Sequence, residues 1–233
     1  MFSFQNIVIA LLAGVIPALL WLWFWLKEDK SHPEPKGFLF LSFLGGMACV
    51  PLVIPFEHYA QQWLPMGFLV ILVWAAIEEF FKFQAMHIID LHRAVFDEPI
   101  DAVVYMITVA LGFAALENAF FLLDPLAGGN LSHTILTGNL RFLGASLLHV
   151  LSSATVGVFI ALSFYKSHTV RIGYLAVGLI LAITLHTLFN FLIIASNGSG
   201  TLMVFVGVWV GIIILFLILE RVKRIKAPRT LLH

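Results

Sequence analysis
An all-α integral membrane protein, built as a bundle of about seven transmembrane helices, is the fold class this sequence predicts, and three observations carry that prediction. Of its 233 residues, 61% are hydrophobic and only 11% are charged. The mean hydropathy of +1.01 lies far from the balance of a water-soluble domain. Seven apolar stretches reach the roughly 20 residues that a helix needs to cross a hydrocarbon core about 30 Å thick. The lipid bilayer is thus the expected surroundings. Thirteen basic residues balance thirteen acidic ones, so no basic excess points to nucleic acid as a partner.

The first segment, Phe4 to Leu26, lacks a basic start and a small-residue cleavage site, and its apolar run outlasts a signal peptide's. It is expected to stay as an anchor, with Trp21, Trp23 and Trp25 in the interfacial belt. The second, Gly37 to Phe56, contains Gly45, Gly46, Pro51 and Pro55, which predict a kink or close packing against neighbours. Met66 to Ile89 forms the third and Ile100 to Leu123 the fourth. The fifth, Asn139 to Phe164, follows the stretch Asp124 to Gly138, which reads as a polar, glycine-bearing extracytoplasmic loop. Gly173 to Ile194 and Thr201 to Glu220 complete the set. No repeat or low-complexity tract interrupts residues 1–233, which read as a single polytopic membrane domain. Cys49, the lone cysteine, can form no internal disulfide and reads as a small buried side chain.

Basic residues near the membrane ends set the orientation. Lys27, Lys30 and Lys36 follow the first segment, Arg93 the third, Lys166 and Arg171 the fifth, and Arg221, Lys223, Arg224, Lys226 and Arg229 the seventh. The other side has only Arg141. Positive charge gathers on the cytoplasmic side, so the N-terminus is expected outside and the C-terminus in the cytoplasm. That arrangement requires an odd number of spans, as predicted. The segment Asp90 to Asp101 then reads as a solvated cytoplasmic loop.

A charged side chain at mid-bilayer costs several kcal/mol, so each intramembrane carboxylate needs a partner or a purpose. The third segment holds Glu78 and Glu79, with Lys82 at i+4 and i+3. Lys82 can neutralise one; the other, about 100° further round the helix, is left for general acid or base work. Glu117-Asn118 lies in the fourth segment, His149 with Ser152 and Ser153 in the fifth, and His186 in the sixth with Asn190 stacked one turn on. At about 1.5 Å of rise per residue, Glu78 and Glu79 fall roughly 18 Å below the outer surface, Glu117 about 9, His149 about 15 and His186 about 12. Four helices deliver carboxylates and imidazoles to one layer, the sequence-level form of an active site.

No serine nucleophile motif and no His-Glu-x-x-His helix is present, which leaves water as the nucleophile. A glutamate can take its proton and pass it to a leaving amine, while histidine and asparagine donate to the developing oxyanion. Peptide hydrolysis needs those parts. Scattered ligands without a short His spacing favour a site with no cofactor; zinc held by some of Glu78, Glu79, Glu117, His149 and His186 is the alternative. A proton- or ion-coupled transporter is the rival from another class, because buried Glu, His and Lys also build proton relays.

The ordered set Pro33-Glu34-Pro35 within Asp29 to Pro35, Glu78-Glu79-x-x-Lys82, Asp97-Glu98-Pro99-x-Asp101, Gly112-Phe113-Ala114 through Glu117-Asn118, His149 and His186 resembles the PrsW family of bacterial intramembrane proteases, relatives of the CAAX prenyl proteases. The resemblance runs from about residue 17 to 190. It implies an enzyme of the bacterial cell membrane that makes the first, extracytoplasmic-side cut in a single-span partner, an anti-sigma factor, and so switches on a stress response. It also implies that Glu78 and Glu79 act with the histidines. Two departures from the wider prenyl-protease pattern, Lys82 where an arginine one residue later is usual and Glu117 where histidine is usual, place the chain in the PrsW branch.

Overall fold
The computed structural model describes residues 2–29, 32–196 and 200–227. Lys30, shared by the predicted charge belt and the Asp29–Pro35 pattern, and Arg229 lie outside the described residues. The described residues form helices and no strand: α1 (Phe4–Trp25), α2 (Lys36–Trp63), α3 (Phe68–Ile89), α4 (Asp101–Ala127), α5 (Leu131–Leu140), α6 (Ser146–Leu162), α7 (His168–Ala195) and α8 (Thr201–Val222). A π-helical segment, Arg141–Ala145, fuses α5 and α6 into one rod. Seven rods result. Six are long and apolar enough to cross a bilayer; the seventh, α3, carries Glu78, Glu79 and Lys82 within its 22 residues.

Two expectations at the helix ends need correction. Helix α2 does not end at Phe56 but continues to Trp63, with Pro51 and Pro55 inside it. The stretch Asp124 to Gly138 is largely helix rather than loop: α4 runs on to Ala127, Gly129 turns the chain at a φ of +67°, and the Asn130 side chain accepts the His133 N–H at 3.0 Å to start α5. Leu131, Ile135, Leu136 and Leu140, all exposed, recur at helical spacing there. Polar composition hid that period.

Helix α4 is the hub, with every residue from Asp101 to Ala115 buried. Helices α2, α3, α7, α6 and α4 pack each on the next and close a ring, while α1 leans on α4 and α8 on α6 from outside. Close approach is built in with glycine. A Cβ on Gly46 of α2 would stand 2.0 Å from the Val109 carbonyl oxygen of α4, and one on Gly112 of α4 would stand 1.9 Å from that of Phe43. Only hydrogen fits at either crossing, which is how membrane helices without a hydrophobic drive gain tight contact.

The segment Asp90 to Asp101 is not solvated in the way its composition suggested. Asp90 and Asp101 are buried, as are Asp29 and Glu34. Ser42 donates to Asp90 at 2.8 Å, the Asp97 and Glu98 N–H groups donate to Asp101 at 2.9 and 2.7 Å, and the Tyr105 hydroxyl donates to Glu34. Burial raises Glu34 to about 8 and Asp90 to about 7.

Candidate active site
Corrected helix ends tighten the predicted layer. Glu78 lies ten residues from the start of α3, Glu117 ten from the end of α4, and His186 nine from the end of α7. At 1.5 Å per residue, all three stand roughly 14–15 Å from the same end of the bundle. Glu117 is therefore deeper than the 9 Å read from sequence, because α4 is longer.

Glu79 is fully buried and fully engaged. Its Oε1 accepts from Lys82 Nζ at 2.8 Å, Ser152 Oγ at 2.9 Å and His186 Nδ1 at 2.8 Å, and its Oε2 accepts from Ser153 Oγ at 2.8 Å. Four donors converge on one carboxylate, which holds α3, α6 and α7 together. Lys82 also reaches Glu78 at 3.3 Å and His149 Nδ1 at 2.9 Å, and lies 4.3 Å from the centre of the Phe113 ring. The sequence reading had Lys82 neutralising one of the pair; it bridges both.

The tautomers follow from these contacts. An ammonium can only donate, so His149 Nδ1 accepts, and its Nε2–H donates to Glu117 at 3.0 Å. On α7, Nδ1–H of His186 donates to Glu79, and its Nε2 faces Glu78 at 3.8 Å. Glu78 and His186 thus present a carboxylate oxygen and an imidazole nitrogen to the same space, too far apart to bond directly. Arg141 pairs with Glu117, and its Nε donates to Asn118 Oδ1 at 2.6 Å.

These groups open on a cavity of about 480 Å³ walled by the ring helices and the start of α8. Glu78, Glu117, His149, His186 and Asn190 line it, whereas Glu79 does not. The predicted set therefore comes together, with Glu79 behind the wall. Two charged lining residues, Arg141 and Glu57, are not among the sequence candidates. Arg141 was counted only as the lone outer-side cation, which in a membrane chain was itself a signal. Glu57 of α2 also lines the cavity; it sat just past the predicted end of its helix.

The donor chemistry fits a metal. Glu78, His149 and His186 each offer an atom within 4.8 Å of the others, a two-imidazole, one-carboxylate set suited to zinc. The Glu79–His186 Nδ1–H bond is the outer contact that fixes a metal-binding imidazole.

Comparison with known proteins places the chain in a family. A profile of the PrsW family intramembrane metalloproteases matches residues 34–218. Protease PrsW of Geobacillus kaustophilus is 29% identical over 197 residues, 81% of each chain. That of Bacillus subtilis is 27% identical over 189 residues, 79% of this chain and 83% of the relative. That of Oceanobacillus iheyensis is 29% identical over 191 residues, 78% and 81% of the two chains. These relatives are named as proteases, so the transporter alternative is not favoured. No solved structure matches the chain. With most of its length matched, the chain belongs to the PrsW family of intramembrane metalloproteases and is a multi-pass membrane hydrolase.

Proposed function
We propose that this protease cuts a single-span membrane protein, an anti-sigma factor, on the extracytoplasmic side of the bacterial cell membrane, with its own N-terminus outside and C-terminus in the cytoplasm. The observation that carries the reading is the joint exposure of Glu78 and His186 Nε2 to one cavity, backed by a Glu79 that locks the imidazole. A water within reach of both gives its proton to Glu78 as its oxygen bonds the scissile carbonyl carbon. The same proton then passes to the leaving amide nitrogen as the C–N bond breaks. His149 keeps its Nε2–H on Glu117, and Asn190 offers an amide donor from the cavity wall for the oxyanion. Glu117 is a positioning residue here, since it orients His149 and is itself held by Arg141.

A zinc ion, if carried, would be held by Glu78, His149 and His186 and would activate water and polarise the carbonyl. Stoichiometric zinc in purified protein that is lost in His186→Ala supports this version; active protein without metal overturns it.

The function is tested by comparing membrane-protein fragments in wild-type and Glu78→Gln cells. A single-span anti-sigma factor shortened on its outer side only in the wild type is the expected result. Identical fragments in both strains would sink the proposal.

A further inference from the structure
A second recess lies between α7 and α8, a groove of about 420 Å³ floored by α6. Leu151, Leu185, Leu192, Met203 and Val208 line it, with Gly207 on the α8 wall. Its lining is almost wholly apolar, and Met203 is 82% exposed at the rim, so in a bilayer the groove faces lipid tails. Helices α7 and α8 both rest on α6 but touch one another only sparsely.

Two features set the groove apart from an ordinary lipid-facing furrow. It shares Leu148 and Phe189 with the cavity. Leu148 precedes His149 in α6, and Phe189 lies one turn beyond His186 in α7. Phe189 stacks on Phe205 at 6.2 Å with the rings 4° from parallel, and Phe205 lines the cavity alone. The partition between groove and cavity is thus a leucine and one stacked ring pair. The second feature is the α8 wall. A Cβ on Gly211 would meet Leu151 at 2.5 Å, yet one on Gly207, a turn earlier, would meet nothing within 4 Å. Gly211 seats α8 on α6, while Gly207 presents bare backbone to the open groove, the surface on which another helix can lie closely.

We propose that this groove is the docking and entry site for the transmembrane helix of the substrate, which lies between α7 and α8 and passes its end across Phe189 and Phe205 into the cavity. The inference rests on the protease reading. A substrate held in the bilayer approaches the site from the side, and the groove is a lipid-facing recess that shares its wall with the cavity. Carbonyls in an intact helix are already hydrogen-bonded, so the segment that crosses the ring pair is the frayed end of the docked helix.

The test uses the Glu78→Gln full-length chain in phosphatidylcholine–phosphatidylglycerol vesicles, with a synthetic single-span peptide carrying a Leu/Ala helix of about 20 residues. A photoreactive side chain is placed at Met203 and, in a separate sample, at Leu12 on the exposed face of α1. The peptide is expected to be captured from Met203 and not from Leu12, and Gly207→Trp is expected to cut the yield about tenfold, as the loss of roughly 1.4 kcal/mol of docking would. Should Gly207→Trp fail to fold, Gly207→Leu takes its place, and the contrast between the two labelled positions decides without either. Equal capture at both positions overturns the proposal, as does capture from Met203 of lipid alone or of a second copy of the chain. Because cleavage is not measured, failure here is separate from failure of the fragment comparison.

Discussion
Glu78 and Glu79 are adjacent in sequence, but their surroundings assign them opposite work. Glu79 takes donors from Lys82, Ser152, Ser153 and His186 and lies behind the cavity wall, whereas Glu78 faces the cavity. A glutamine at 79 would offer one acceptor oxygen and turn an amide donor toward groups that themselves donate. Breaking a buried ionic network by removing one partner costs about 3–5 kcal/mol. Glu79→Gln is therefore expected to lower the melting temperature sharply and to lose activity as a consequence. Glu78→Gln is expected to abolish cleavage with a much smaller change in melting. Thermal unfolding in detergent, run beside a cleavage assay, separates them; equal melting temperatures for the two variants would contradict this division. The sequence showed the pair and the i+3, i+4 lysine, so the presence of the site was legible. Which glutamate faces the cavity was not, because it depends on where Ser152, Ser153 and His186 arrive from other helices.

At the scale of the helices, hydropathy exposed all seven rods, since apolar length is a one-dimensional property. The α5 helix escaped notice because its apolar residues are spaced on one stripe among Ser, His, Thr and Asn. The π segment, which turns Arg141 toward Glu117, left no mark either: an extra residue in a helical turn has no compositional signature. Glycine roles were half legible. Gly46 was expected to pack closely, but that it pairs with Gly112 at the α2–α4 crossing depends on the register between helices. That crossing fixes α4, which carries Glu117, against α2, which carries Glu57. Gly112→Ala is expected to cost about 1–3 kcal/mol, since its Cβ would push on the Phe43 backbone rather than on a pliable side chain. Gly173→Ala, where a Cβ meets nothing within 4 Å, is the control and is expected to melt like the wild type or slightly higher. Unchanged melting of Gly112→Ala would show that the crossing is looser than described.

Across the whole molecule, two polar layers lie toward opposite ends of the bundle, and the second gives the fold a pH dependence independent of catalysis. Glu34 accepts from Tyr105 on α4, and Asp90, at the end of α3, accepts from Ser42 on α2. Burial is the largest cause of the raised values, about 8 for Glu34 and about 7 for Asp90, against 4.5 and 3.8 for the free side chains. Asp101 adds to the effect on Glu34, while the Ser42 hydrogen bond and Arg93 partly offset the rise at Asp90. Between those limits the folded chain holds protons that the unfolded chain has released. The stabilisation is accordingly complete below the free-carboxyl values and is lost as pH rises through about 7 and then about 8. The melting temperature of the purified protein is expected to fall between pH 6 and pH 9, opposite to the usual response of salt-bridged carboxylates. Glu34→Gln keeps an oxygen for Tyr105 and cannot ionise, so it is expected to flatten the upper part of that slope while leaving the melting temperature at low pH close to wild type. Melting curves of both proteins across this range check the assignment, and a wild-type stability that climbs with pH would show that these carboxyls are ionised in the folded chain.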